Sequence, residues 1–75
     1  MDPTTAYETM SNDRLELTER ADAAAALVGW LTIGGLLPTK YADRNPDNDP
    51  NIEKVHRLNI KAQCADVLTQ AWNAR

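Results

Sequence analysis

Two breaks decide what this chain can fold into: Gly34-Gly35 with Pro38 stops a helix, and Asp49-Pro50 starts another. Glycine takes the left-handed conformation of a helix C-terminus without steric cost, and a proline just beyond prevents the helix from resuming. Asp-Pro does the reverse, because the carboxylate accepts from the first-turn amides while proline sits where no donor is missed. Between the breaks, residues 36–49 are rich in Asp, Asn and Pro and read as a connecting loop. The stretch before them is dominated by Ala, Leu, Glu and Arg without an internal proline, which predicts a helix over about residues 14–33. Beyond Asp49-Pro50 a last helix is predicted over about 50–73.

Asp2-Pro3 repeats the start signal and predicts a short helix over about 3–10, with Ala6, Tyr7 and Met10 on one side. Ser11-Asn12-Asp13 competes with helical hydrogen bonds and ends it. Asp13, with Glu16 three residues on, resembles a capping box for the next helix, and Thr18 is a competing start. The predicted capping residues are therefore Asp2, Asp13, Gly34, Gly35 and Asp49. No segment alternates with β-branched residues, so the expected fold is all-α. It comprises one small domain over 1–75, a short N-terminal helix plus an antiparallel hairpin of two longer helices.

Seventy-five residues seldom supply a sufficient core alone. Both long helices nevertheless carry apolar residues on more than one side. In the first, Leu17, Ala21, Ala24, Leu27, Val28 and Leu31 form a stripe, while Ala26, Trp30 and Ile33 lie elsewhere. In the second, Ile52, Ile60, Cys64, Val67, Leu68 and Ala71 share one broad side, and Val55, Leu58, Ala62 and Trp72 another. A single intrachain neighbour covers one side only, so a homodimer paired into a helical bundle is expected. Its interface residues would be Leu27, Trp30, Leu31, Leu58, Ile60 and Trp72.

The net charge of −3 argues against a general nucleic-acid binder, which normally carries a basic excess. The balance is uneven: residues 1–37 hold six acids against two bases, and residues 38–75 five acids against six bases. Lys54, Arg57 and Lys61 fall at i, i+3 and i+7 and make a basic ridge on the last helix. It is either a solvated face or the contact for a phosphate or an acidic surface. No apolar run reaches the ~18 residues needed to span a bilayer. A basic start followed by an apolar segment is missing after Met1-Asp2-Pro3, and the single Cys64 suits a reducing compartment, so the cytoplasm is the expected location.

At Trp30-Leu31-Thr32-Ile33-Gly34-Gly35-Leu36-Leu37-Pro38 the chain resembles short bacterial and phage-type helical proteins with a W-L-x-x-G-G-x-x-P pattern. In these an Asp-Pro near the N-terminus and an alanine-rich helix precede the pattern, similar to Asp2-Pro3 and Ala21 through Ala26 here. The resemblance covers about residues 2–38. It departs at Leu36, where an aromatic often stands, and does not extend past Asp49. It implies a compact helical module and transfers no catalytic residues.

The loop Asp43-Arg44-Asn45-Pro46-Asp47-Asn48-Asp49 begins like a calcium-binding loop, with acceptors at the first, third and fifth positions. It then fails: the sixth position is Asn48 rather than Gly, and the twelfth is Lys54 where a bidentate Glu is required. His56 and Cys64 lie about two turns apart on one helix, roughly 12 Å of rise, too far for a nucleophile pair or a shared tetrahedral zinc. Cys64 reads as a core residue and His56 as a half-buried one. Neither a catalytic constellation nor a cofactor is expected. The expected function is that of a non-enzymatic interaction module, a homo-oligomer acting as adaptor, inhibitor or accessory factor. The alternative is a nucleic-acid or nucleotide-associated protein using the basic ridge.

Overall fold

The computed structural model describes residues 2–74, in which α1 (Pro3–Ser11), α2 (Leu17–Thr32), α3 (Thr39–Ala42) and α4 (Pro50–Asn73) follow in order. No strand occurs among the described residues, so the fold is all-α. Both Asp-Pro starts behave as their chemistry requires. The Asp2 carboxylate accepts from the Thr5 amide at 2.8 Å and from the Thr5 hydroxyl at 2.9 Å, and Asp49 accepts from the Asn51 amide at 2.8 Å.

The start of α2 corrects the sequence expectation. It begins at Leu17 rather than Arg14, and Asp13 does not cap it; Glu16 stands at the cap position without a side-chain bond. The cause is Asn12. Its side-chain oxygen takes the Arg14 amide at 3.0 Å and its carbonyl takes the Leu15 amide at 3.1 Å, so residues 12–15 close into a turn that competes with the helix. Asp13 is left exposed, 3.8 Å from Arg20.

The loop expected over 36–49 holds a further element. Pro38 is buried and precedes the single turn α3, which sinks Tyr41 into the core. Thr4 of α1 ties this turn down: its hydroxyl accepts from the Thr39 amide at 2.9 Å and meets the Thr39 hydroxyl at 2.9 Å. After α3, the buried Asn45 side chain donates to the Asp49 carbonyl at 3.0 Å and accepts from the Asp49 amide at 2.9 Å. Asn48 completes the turn in the left-handed region with φ 53°. The acid-rich loop thus spends its amide side chain on positioning the N-cap of α4.

α2 and α4 run antiparallel. Arg57, near the start of α4, reaches the end of α2, while Leu17 and Ala21 at the start of α2 lie beside Ala71 and Ala74. α1 lies lengthwise along them, its Thr4 near Thr39 and its Met10 carbonyl beside Arg20. The result is a rod of 42 × 18 × 18 Å. Its core is built from Met10, Leu27, Leu31, Tyr41, Ile60 and Cys64. Here the expectation for Leu27, Leu31 and Ile60 is corrected: each is at most 2% exposed, covered by the chain itself. Sequence periodicity underestimates the cover because α1 and α3, though short, contribute Ala6, Met10 and Tyr41 from far away in the chain.

Candidate interaction surfaces

The residues of the Trp30–Pro38 pattern assemble into a closed helix end. Gly34, with φ 86°, is the left-handed residue after α2; its amide donates to Leu31 at 3.3 Å, and the Gly35 amide donates to Trp30 at 2.9 Å. This pair of bonds is the Schellman arrangement. Gly34 and Gly35 are both helix-terminating residues, as expected, but for different reasons. Around Gly34 the space is open and only backbone conformation demands glycine. At Gly35 a β-carbon would overlap the Trp30 indole, which folds back over the turn and donates from Nε1 to the Leu36 carbonyl at 2.8 Å.

Arg57 completes this end from α4. Its Nη1 donates to the Leu31 carbonyl at 3.0 Å and to the Gly35 carbonyl at 2.9 Å, while Nη2 pairs with Glu53 at 2.7 Å. α2 has no basic residue in its own last turn, so the cation facing its negative end comes from another helix. The same device recurs at α1, where Arg20 Nε donates to the Met10 carbonyl at 2.9 Å. Arg57 is therefore turned inward, and the expected ridge of three bases is corrected to Lys54, which is exposed, and Lys61, which is half-buried.

A polar junction joins α1, α3 and α4. Tyr7 donates its hydroxyl hydrogen to Gln63 Oε1 at 2.8 Å, and Gln63 Nε2 donates to the Tyr41 hydroxyl at 3.1 Å. Since Tyr7 has one hydrogen and spends it on Gln63, the 2.9 Å contact between the hydroxyls is a bond donated by Tyr41. Burial pushes the Tyr7 hydroxyl above the ordinary phenol range. The Tyr41 ring meets Tyr7 and His56 edge-on, at 5.4 and 5.3 Å between centroids, and Arg44 lies 5.5 Å over it. Among the described residues the buried His56 Nε2 has no hydrogen-bond partner. Sequence reasoning misses Tyr41; the available signal is Thr-Lys-Tyr-Ala, one turn of helix-compatible residues between Pro38 and Asp43.

Cys64 is wholly buried, and burial pushes its thiol up, so it stays protonated and inert as expected of a core residue. Among the described residues no three of His, Cys, Asp and Glu lie close enough to hold a metal ion, and no helix is long and apolar enough to cross a membrane.

Of the expected interface residues, Trp30, Leu58 and Trp72 remain on the surface. Leu58 is 58% exposed and Trp72 70%. Others join them: Ile33 at 79% and Leu36 at 78% beside the α2 end, and Val55 at 56% on α4. The exposed large apolar side chains thus lie at the α2 end, at the start of α4, where Ile52 is 41% exposed, and along the outer side of α4. The chain has no match among family models, curated proteins or solved structures.

Proposed function

We propose that this chain is a small helical interaction module, acting by binding rather than catalysis, and that its first partner is another copy of itself. The observation that carries the reading is the set of large apolar side chains, Ile33, Leu36, Val55, Leu58 and Trp72, more than half exposed although the core is closed. Burying one such side chain gains about 1.5 to 3 kcal/mol, so water-facing groups of this kind are a reservoir for association. The caps and the tyrosine junction hold the surface on a rigid frame, which lowers the ordering cost of binding. Within such an assembly the chain would serve as adaptor, inhibitor or accessory factor.

The nucleic-acid alternative loses support with Arg57, because its guanidinium is engaged by two carbonyls and Glu53. Sedimentation equilibrium across a wide protein concentration range tests the proposal. A mass rising to twice that of the chain, with a melting temperature that climbs with concentration, is expected. A monomer throughout, with a concentration-independent melt, refutes self-association.

A further inference from the structure

The outer side of α4 has a regular pattern. Val55, Leu58, Ala62, Ala65, Thr69 and Trp72 are all exposed, and their spacings alternate between three and four residues. This is the a/d alternation of a heptad. With Val55 at position a, the buried Ile60 and Val67 occupy f and Cys64 occupies c, so the seam faces away from the core. Its span from 55 to 72 is about 26 Å of helix. Val55, Leu58, Ala62, Ala65 and Thr69 stand outside the core at the period that mates helices, which is the shape of a helix partner, and Trp72 at the end of the strip also borders Ala21, Asp22 and Ala25 of α2.

The flanking residues indicate which helix. Positions g are Lys54, Lys61 and Leu68, and positions e are Ile52, Asn59, Asp66 and Asn73. In a parallel pair each g residue faces the e residue five positions later on the other helix. Lys61 then faces Asp66 of the second copy, and symmetry makes the pair twice. Lys54 meets Asn59 and Leu68 meets Asn73, so no like charges oppose. In the reversed orientation Lys61 lies by Leu68 and Asp66 by Asn59, and both ion pairs are lost. Ala62 and Ala65 at the centre let the backbones approach closely, while Leu58 and Trp72 fill the wider layers on either side.

Resting on the reading of self-association given above, we infer that the Val55–Trp72 seam is the dimer interface, α4 pairing in parallel with α4 of a second copy through Lys61–Asp66 contacts. The test uses the whole chain. Leu58→Asp should raise the dissociation constant about tenfold or more with helical content unchanged. Lys61→Asp should weaken the dimer by setting a second carboxylate against Asp66, and adding Asp66→Lys should restore it. Thr69→Cys should oxidise to a disulfide-linked dimer, because residues at a meet their own counterparts in a parallel pair; reversed, each Thr69 would lie about 16 Å from its counterpart along the axis. A dimer that forms without the Thr69→Cys link and without rescue by the charge swap overturns the seam while self-association stands. A monomer at all concentrations overturns both. Capture of a different helical protein by the monomer, weakened by Leu58→Asp, overturns the assignment to a second copy.

Discussion

Replacing Gly35 by alanine is a one-methyl change whose cost can be traced to a single neighbour. Gly35 does not have positive φ, so its backbone admits an L side chain. What refuses the methyl group is the Trp30 indole. Either the ring swings away or the turn shifts, and both break the 2.8 Å bond from Trp30 Nε1 to the Leu36 carbonyl. Overpacking costs about 1 to 3 kcal/mol and a lost hydrogen bond about 0.5 to 1.5, so about 2 to 4 kcal/mol is expected. That is a large share of the ~5 to 15 kcal/mol that holds a typical domain. A fall in melting temperature of about 8 °C or more should follow in far-UV circular dichroism, with a shift in tryptophan emission as the indole reorients. The decisive measurement is the cycle with Trp30→Ala. If the indole is the obstacle, Gly35→Ala is nearly free once it is gone. Equal cost in both backgrounds would refute the steric account and place the demand for glycine in the backbone.

Gly34→Val should cost about 1 kcal/mol or more through its left-handed φ alone, with Gly34→Asn milder; denaturant midpoints check this, and a cost that vanishes with Trp30→Ala would contradict it. Arg57→Ala should lose about 2 kcal/mol as two helix-end carbonyls and Glu53 lose their shared donor, and Arg57→Lys should recover only part, since an ammonium lacks the planar fork; full recovery in urea melts would reduce Arg57 to a point charge. The Thr5 amide, then the Thr5 hydroxyl, hold the Asp2 carboxyl below the ordinary aspartate range. A lowered folded value means stability that is present above the ordinary range and lost as pH falls through the folded value. The amide exchange protection of α1 should therefore fall in acid, and Asp2→Asn, an uncharged cap, should remove that dependence on Asp2.

Where sequence and fold agree, the responsible chemistry is local. Asp2-Pro3, Asp49-Pro50 and Gly34-Gly35 each fix a helix end with groups only a few residues away, and each end lies where those groups put it. The start of α2 departs from its signal because Asn12, one residue before the expected cap, captures the Arg14 and Leu15 amides in a turn. The burial of Leu27, Leu31 and Ile60 is illegible in the sequence because the core they enter is completed by Ala6, Met10 and Tyr41, and helical periodicity carries no record of which distant segment joins a core. The role of Arg57 is hidden for the same reason. A base at ridge spacing looks solvated until the carbonyls at the end of another helix are known to lie beside it. On α4 the outer strip of Val55, Leu58 and Trp72 is visible as surplus apolar surface.

The arginines that close α1 and α2 also set a clock on synthesis. The partner of the Met10 carbonyl lies ten residues downstream, and that of the Leu31 carbonyl twenty-six. At ~5 to 20 residues per second, about 1 to 5 s of synthesis separate Leu31 from Arg57, so the end of α2 is without its arginine for at least that long. α1 gains its arginine early and α2 late, so the Trp30 turn is completed only when the first turns of α4 have emerged. A helix made later locks the end of the long helix made before it.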